Sequence, residues 1–141
     1  MSQPVHAGLI AWASRGGWRG VLIEGPSGAG KSDLALRALD HGFRLVADDR
    51  VVLWASGGAL FGRAPDALFG LIEVRGQGVR TAPALRLARI DLIVDCVAAD
   101  GVERLPEPRD AVRKGVSAPH LRLWPFEPGA PAKLRRALGD L

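Results

Sequence analysis

A single cysteine, Cys96, in 141 residues excludes any disulfide framework within the chain and points to a reducing compartment. It stands in the apolar stretch from Ile90 to Val97, where a small buried hydrophobe is its expected role. No apolar run approaches the ~18 residues of a membrane span. The first residues carry neither a basic stretch nor the apolar core of an export signal. A cytoplasmic protein with no membrane association is therefore expected. Repeats and low-complexity segments are also missing. So is a basic stripe interleaved with aromatics: the formal charge of +4 comes from 19 Lys+Arg against 15 Asp+Glu, spread along the chain. Nucleic acid is accordingly not an expected partner. The charge balance suits a polyphosphate ligand, an acidic partner or an ordinary solvated surface. Lysine is scarce, occurring only at 31, 114 and 133, so a lysine within a glycine-rich loop carries information.

With 48% hydrophobic residues the chain can bury one core, and a single domain over 1–141 is expected. Glycine and proline punctuate short apolar runs in the manner of an α/β domain. His6 to Trp12 and Arg19 to Glu24 read as a hairpin turning at Ser14–Gly17. Ser32 to Leu39 reads as a helix with Leu34, Ala35, Ala38 and Leu39 on one face, stopped by Gly42. Strands are predicted over Phe43–Ala47, Val51–Ala55, near Leu60 and Phe61, over Phe69–Val74 and over Ala88–Val97. Between them, Arg75-Gly76-Gln77-Gly78 reads as a loop. Residues 100 to 119, rich in charge and proline, are predicted to be irregular. Pro131 to Leu141 is predicted to be a helix with Leu134, Ala137 and Leu138 facing inward.

The chemistry concentrates in Gly25-Pro26-Ser27-Gly28-Ala29-Gly30-Lys31-Ser32, a complete match to the phosphate-binding loop Gly-x4-Gly-Lys-Ser, with an apolar strand before it and a helix after it. Glycines at these spacings let successive backbone N–H groups turn onto phosphate oxygens, and the following helix aims its positive end at the same anion. Lys31 would reach the β- and γ-phosphates of ATP, and the Ser32 hydroxyl would ligate Mg²⁺. Mg²⁺ prefers oxygen donors and calls for a carboxylate as well. Two apolar strands end in one, at Asp48-Asp49 and at Asp95. Neighbouring residues of a strand point to opposite sides, so Asp48 and Asp49 are expected to divide the roles of metal ligand and catalytic base.

Three separated stretches resemble one family. The phosphate loop continuing into Asp33-Leu34-Ala35-Leu36, the segment Arg44-Leu45-Val46-Ala47-Asp48-Asp49, and Leu71-Ile72-Glu73-Val74-Arg75-Gly76-Gln77-Gly78-Val79 are similar to the catalytic domain of HPr kinase/phosphorylase. The resemblance runs from about residue 5 to 138 and is most specific between 20 and 80. It implies a P-loop mixed sheet related to that of phosphoenolpyruvate carboxykinase. It also implies ATP-dependent phosphorylation of a serine on HPr, the phosphocarrier of the sugar phosphotransferase system, or on its nitrogen-branch paralogue. The family can run phosphorolysis too, in which inorganic phosphate attacks phosphoserine to give pyrophosphate. Position by position, the resemblance makes Asp48 the acid/base, with His6 as its hydrogen-bond partner, since an isolated aspartate is a weak base at neutral pH. It makes Asp49 and Glu73, with Ser32, the metal-associated groups, and links Arg75 to phosphorolysis. Arg104, in Glu103-Arg104-Leu105-Pro106, matches an arginine that would stabilise charge on the transferring phosphoryl group.

The match has departures. The N-terminal domain of longer members has no counterpart, and the region between Val97 and Pro125 is contracted. Pro128-Gly129-Ala130 replaces the family's Pro-Gly-Arg, and Gln77 leaves phosphorolysis open. Family members often form hexamers, which makes a homo-oligomer an expectation. The residues also admit a P-loop kinase or NTPase acting on a small molecule, or a module that senses nucleotide without chemistry.

Overall fold

In the computed structural model, which describes residues 3–139, the first two apolar runs form β1 (Gly8–Ser14) and β2 (Gly17–Glu24), paired antiparallel with Ser14 opposite Gly17. β2 runs directly into the phosphate loop and α1 (Lys31–Leu39). The chain returns as β3 (Arg44–Ala47), antiparallel to β1. A hairpin of β4 (Val52–Ser56) and β5 (Ala59–Arg63) follows, then a 3-10 turn, Asp66–Leu68. β6 (Leu71–Val74) and β7 (Gly78–Thr81) make a separate two-stranded ribbon, so Arg75-Gly76-Gln77 is its tight turn. β8 (Ala88–Cys96) then runs parallel to β2.

Residues 100–119 depart from the predicted irregular segment. After a second 3-10 turn, Ala99–Gly101, they include β9 (Arg109–Arg113) and the start of β10 (Val116–Leu123). The two strands pair antiparallel around Lys114 and Gly115, whose φ values of 51° and 76° suit a two-residue type I′ turn. β9 lies at the end of the sheet and is mostly exposed, so it carries no apolar alternation to betray it. Pro119 is tolerated because β8 comes alongside β10 only from His120 onward. The last element, α2, runs Ala130–Leu138 and buries Ala130, Pro131, Leu134 and Leu138. Ala137 is exposed instead of inward, since it falls just beyond that stripe on the helix wheel. The predicted extension of this helix to Leu141 lies outside the described residues.

The order of the main sheet is β3-β1-β2-β8-β10-β9, with β5 also joined to β8. Parallel pairs in the centre, β2–β8 and β8–β10, and antiparallel pairs at the flanks make it a mixed α/β sheet. Alternate residues of the central strands serve two cores. Ile10, Val21, Ile23, Leu92 and Val94 pack under α1 and α2 with Leu34 and Leu134. Leu9, Ala11, Leu22 and Ile93 pack on the opposite face, beneath Leu53 and Leu60 of the β4–β5 hairpin. Burial on both faces explains why these strands read as near-continuous apolar runs. None of the described helices is long and apolar enough to cross a membrane.

β2 lies tight against β8 at Gly20, where an added Cβ would sit 2.4 Å from the Arg89 carbonyl oxygen. Backbone cannot step aside as a side chain can. Gly20→Ala is therefore expected to destabilise the fold by about 1–3 kcal/mol, read as a lower urea midpoint at unchanged slope.

Candidate active site

The strand-to-helix turn after β2 is built from backbone that only glycine adopts readily. Gly25, Gly28 and Gly30 have φ of 149°, 82° and 100°. Lys31 opens α1 and is only 8% exposed. Its Nζ donates to the carbonyls of Gly25 at 2.7 Å and Pro26 at 2.9 Å, so the ammonium lies across the base of the loop. Ala29 N–H closes the turn onto the Pro26 carbonyl at 3.0 Å. No side chain caps the helix at Gly30, so its first-turn N–H groups point toward the loop mouth.

Beside the loop, β3 ends at Ala47 and delivers the two aspartates differently. Asp48 is 5% exposed, with both carboxylate oxygens engaged. Oδ1 accepts the Ser32 hydroxyl at 2.7 Å and Oδ2 accepts the backbone N–H of Glu73 at 2.9 Å. Asp48 thus joins the phosphate loop, β3 and β6. Asp49 sits in the left-handed region at φ 70°, a conformation that costs a non-glycine residue energy and that aspartate tolerates better than most. Its side chain is half exposed, and its Oδ1 accepts the His6 Nε2–H at 3.0 Å. Arg50 Nη1 lies 3.2 Å from its other oxygen.

This pairing corrects the expectation that His6 supports Asp48. The strand rule of opposite-pointing neighbours does not govern here, because the strand has already ended at Ala47 and the backbone at Asp49 turns left-handed. Asp48 turns in to Ser32 while Asp49 faces the open space beside it.

That space is a cleft of about 290 Å³. Gly28, Gly30, Lys31 and Ser32 line it together with the His6 imidazole and the charged groups of Asp49, Glu73 and Arg75. The structure therefore brings Ser27, Gly28, Gly30, Lys31 and Ser32 of the loop together with the His6–Asp49 pair, Glu73 and Arg75, while Gly25, Pro26, Ala29 and Asp48 do not line the cleft. Arg104 is not among them. It lies in the exposed connection before β9 and does not line the cleft. Asp95, the alternative strand-end carboxylate, does not line it either. Cys96 is buried beside Gly25, and burial pushes its thiol up to about 11, with the Lys31 ammonium lowering it and Asp95 raising it. A thiol so placed is packing.

Sequence reasoning missed two features of the cleft. One is the Glu73 backbone N–H, whose partner no motif specifies. The other is Phe126, which lies against Gly30 from the β10–α2 connection.

Among the described residues, no three carboxylate, imidazole or thiolate groups are gathered as a metal site. What exists is a hard-oxygen pair, Ser32 Oγ and Asp48 Oδ1, at the end of the phosphate loop. The donor chemistry fits Mg²⁺, which is commonly held by one or two carboxylates together with substrate phosphates.

The HPr Serine kinase C-terminal domain model matches residues 5–85, which contain the phosphate loop, both aspartates, Glu73 and Arg75. The chain belongs to this family. HPr kinase/phosphorylase of Clostridium acetobutylicum is 36% identical over 111 residues, covering 74% of this chain and 34% of that protein. The Bordetella pertussis HPr kinase/phosphorylase is 46% identical over 98 residues, covering 62% and 32%. The chain thus spans about a third or less of the length of these curated relatives. The solved Hpr(Ser) kinase/phosphatase from Coxiella burnetii superposes with a TM-score of 0.79 at 26% identity, over 96% of this chain and 87% of that one. The α/β mixed sheet is therefore the fold of the HPr kinase family, including the β9–β10 region beyond the segment that the family model matches.

Proposed function

We propose that this chain is the catalytic unit of an ATP-dependent kinase that phosphorylates a serine of an HPr-type phosphocarrier protein. The observation that carries this reading is the Ser32–Asp48 hydrogen bond at 2.7 Å, beside a second, exposed carboxylate paired with an imidazole. One acid is buried against the phosphate loop; the other, paired with His6 and Arg50, is half exposed and faces the cleft. MgATP, when bound, supplies the transferable phosphoryl group and neutralises part of its charge. Lys31 and the loop N–H groups hold phosphate oxygens, and Ser32 and Asp48 provide the metal-side oxygens. On this reading Asp49, and not Asp48 as the family resemblance implies, accepts the seryl proton as the serine oxygen bonds to the γ-phosphorus and the bond from that phosphorus to the β-phosphate oxygen breaks, releasing ADP. His6 fixes the carboxylate's orientation through its N–H. Arg75 and Glu73 border the same cleft, where Arg75 balances charge on a phosphate oxygen.

In the opposite direction, Asp49 would take a proton from inorganic phosphate as its oxygen bonds to the phosphoserine phosphorus and return it to the seryl oxygen as that O–P bond breaks, leaving serine and pyrophosphate, the phosphorylase activity named in the Clostridium and Bordetella relatives. On this reading the chain works in the cytoplasm, where ATP and phosphocarriers meet.

The test is intact-mass spectrometry of HPr-type carriers from the same organism after incubation with the chain, ATP and Mg²⁺. A single phosphate on a serine is expected, lost when Lys31→Met replaces the wild type. ATP binding with no transfer to any carrier would move the site to a small-molecule acceptor or to nucleotide sensing.

A further inference from the structure

We infer that Phe126 is the platform on which the nucleobase stacks, so that the connection between β10 and α2 is the base-binding edge of the cleft. This rests on the reading of the cleft as an ATP site and adds where the adenosine end lies.

Strand order supplies the first argument. The phosphate loop follows β2 near the middle of the sheet, with β1 and β3 on one side and β8 and β10 on the other. The proposed proton acceptor and its hydrogen-bond partner come from the β3 side: Asp49 follows β3, and His6 precedes β1. Phe126 follows β10, on the opposite flank. A nucleotide whose terminal phosphate lies toward Asp49 therefore has its base end toward Phe126.

The ring's own state points the same way. Phe126 is 49% exposed between the buried Pro125 and the half-buried Glu127, and it borders the cleft. An added Cβ on Gly30 would come within 2.7 Å of the Phe126 Cζ atom, so the ring rests directly on the end of the phosphate loop. Leu36 of α1 borders the same cleft and adds apolar surface.

Third, the ring is presented by a braced segment. Arg37 of α1 donates to the Pro125 carbonyl and, at 3.2 Å, to the Glu127 carbonyl, while Asp33 holds its Nε at 2.9 Å. Lys133 of α2 grips Glu127 at 2.7 Å. An aromatic fixed this way loses little freedom when a ligand stacks on it. Asp33, which also lines the cleft, pairs one carboxylate oxygen with Arg37. Stacking on an aromatic face tolerates any base, so ATP and GTP should bind with similar affinity.

Calorimetry with ATP and with inorganic tripolyphosphate, each with Mg²⁺, separates the base from the phosphates. Phe126→Ala is expected to weaken ATP about tenfold, the size of one base–aromatic stack, and to leave tripolyphosphate unchanged. Phe126→Tyr should keep wild-type affinity for both. Equal weakening of the two ligands by Phe126→Ala, no effect on ATP, or tighter ATP binding would each overturn the assignment. Failure of the wild type to bind either ligand, or indifference of both to Lys31→Met, would instead remove the ATP site itself and this inference with it.

Discussion

Asp49→Asn is expected to slow phosphoryl transfer from ATP to an HPr-type serine by about 10²–10⁴-fold, the usual contribution of a positioned general base, while ATP binding is kept. Besides the base, the substitution removes only the exposed ion pair with Arg50. Asparagine tolerates the left-handed backbone that Asp49 adopts at φ 70°, and its amide oxygen can still accept the His6 N–H found at 3.0 Å. What is lost is the ability to take a proton. Single-turnover transfer, followed alongside calorimetric ATP affinity, separates the two effects. An undiminished rate would remove Asp49 from the chemistry.

Lys31→Met is expected to abolish transfer and to weaken ATP by about 10–100-fold, the scale of a lost charge-assisted hydrogen bond. The ammonium is nearly buried and held by the Gly25 and Pro26 carbonyls, so it needs little reorganisation to meet an incoming phosphate. Methionine keeps the length and apolar stem of lysine. The two carbonyls sit in half-buried and exposed residues within reach of water, so the variant should fold, as circular dichroism would verify. Unchanged ATP affinity in the folded variant would contradict the placement of phosphate on this loop.

Much of this site was legible because its chemistry is local. The glycine spacing, Lys31 and Ser32 constrain one another within eight residues, and the strand and helix flanking them follow from apolar periodicity. The two acids and Glu73 were legible as residues through the family resemblance, and so was a split between metal ligand and base, but the pairing of His6 with Asp49 was not. It depends on β3 ending at Ala47 and on a left-handed backbone at Asp49, which no side-chain pattern announces. β9 escaped for a different reason: an outer, exposed strand has no apolar face to signal it, and its turn uses Lys-Gly instead of the commoner Asn-Gly. Phe126 and Arg104 are opposite cases of long-range placement. Phe126 meets Gly30 across 96 positions only because β10 ends beside the loop, whereas Arg104 belongs to a connection that never reaches the cleft.

The proposed placement of Asp48 on the metal side and Asp49 on the proton side predicts opposite responses to Mg²⁺. Asp48→Asn removes negative charge beside Ser32 and leaves the Glu73 N–H facing an amide, so metal binding weakens while the base survives. The decisive measurement is the single-turnover rate of transfer to an HPr-type carrier across a Mg²⁺ titration, for the wild type, Asp48→Asn and Asp49→Asn. The expected result is a higher half-saturating Mg²⁺ for Asp48→Asn, with its rate recovering at high Mg²⁺, and a low rate for Asp49→Asn at every concentration. Recovery of Asp49→Asn by Mg²⁺, with Asp48→Asn remaining slow, would exchange the two roles and contradict the assignment made from the geometry.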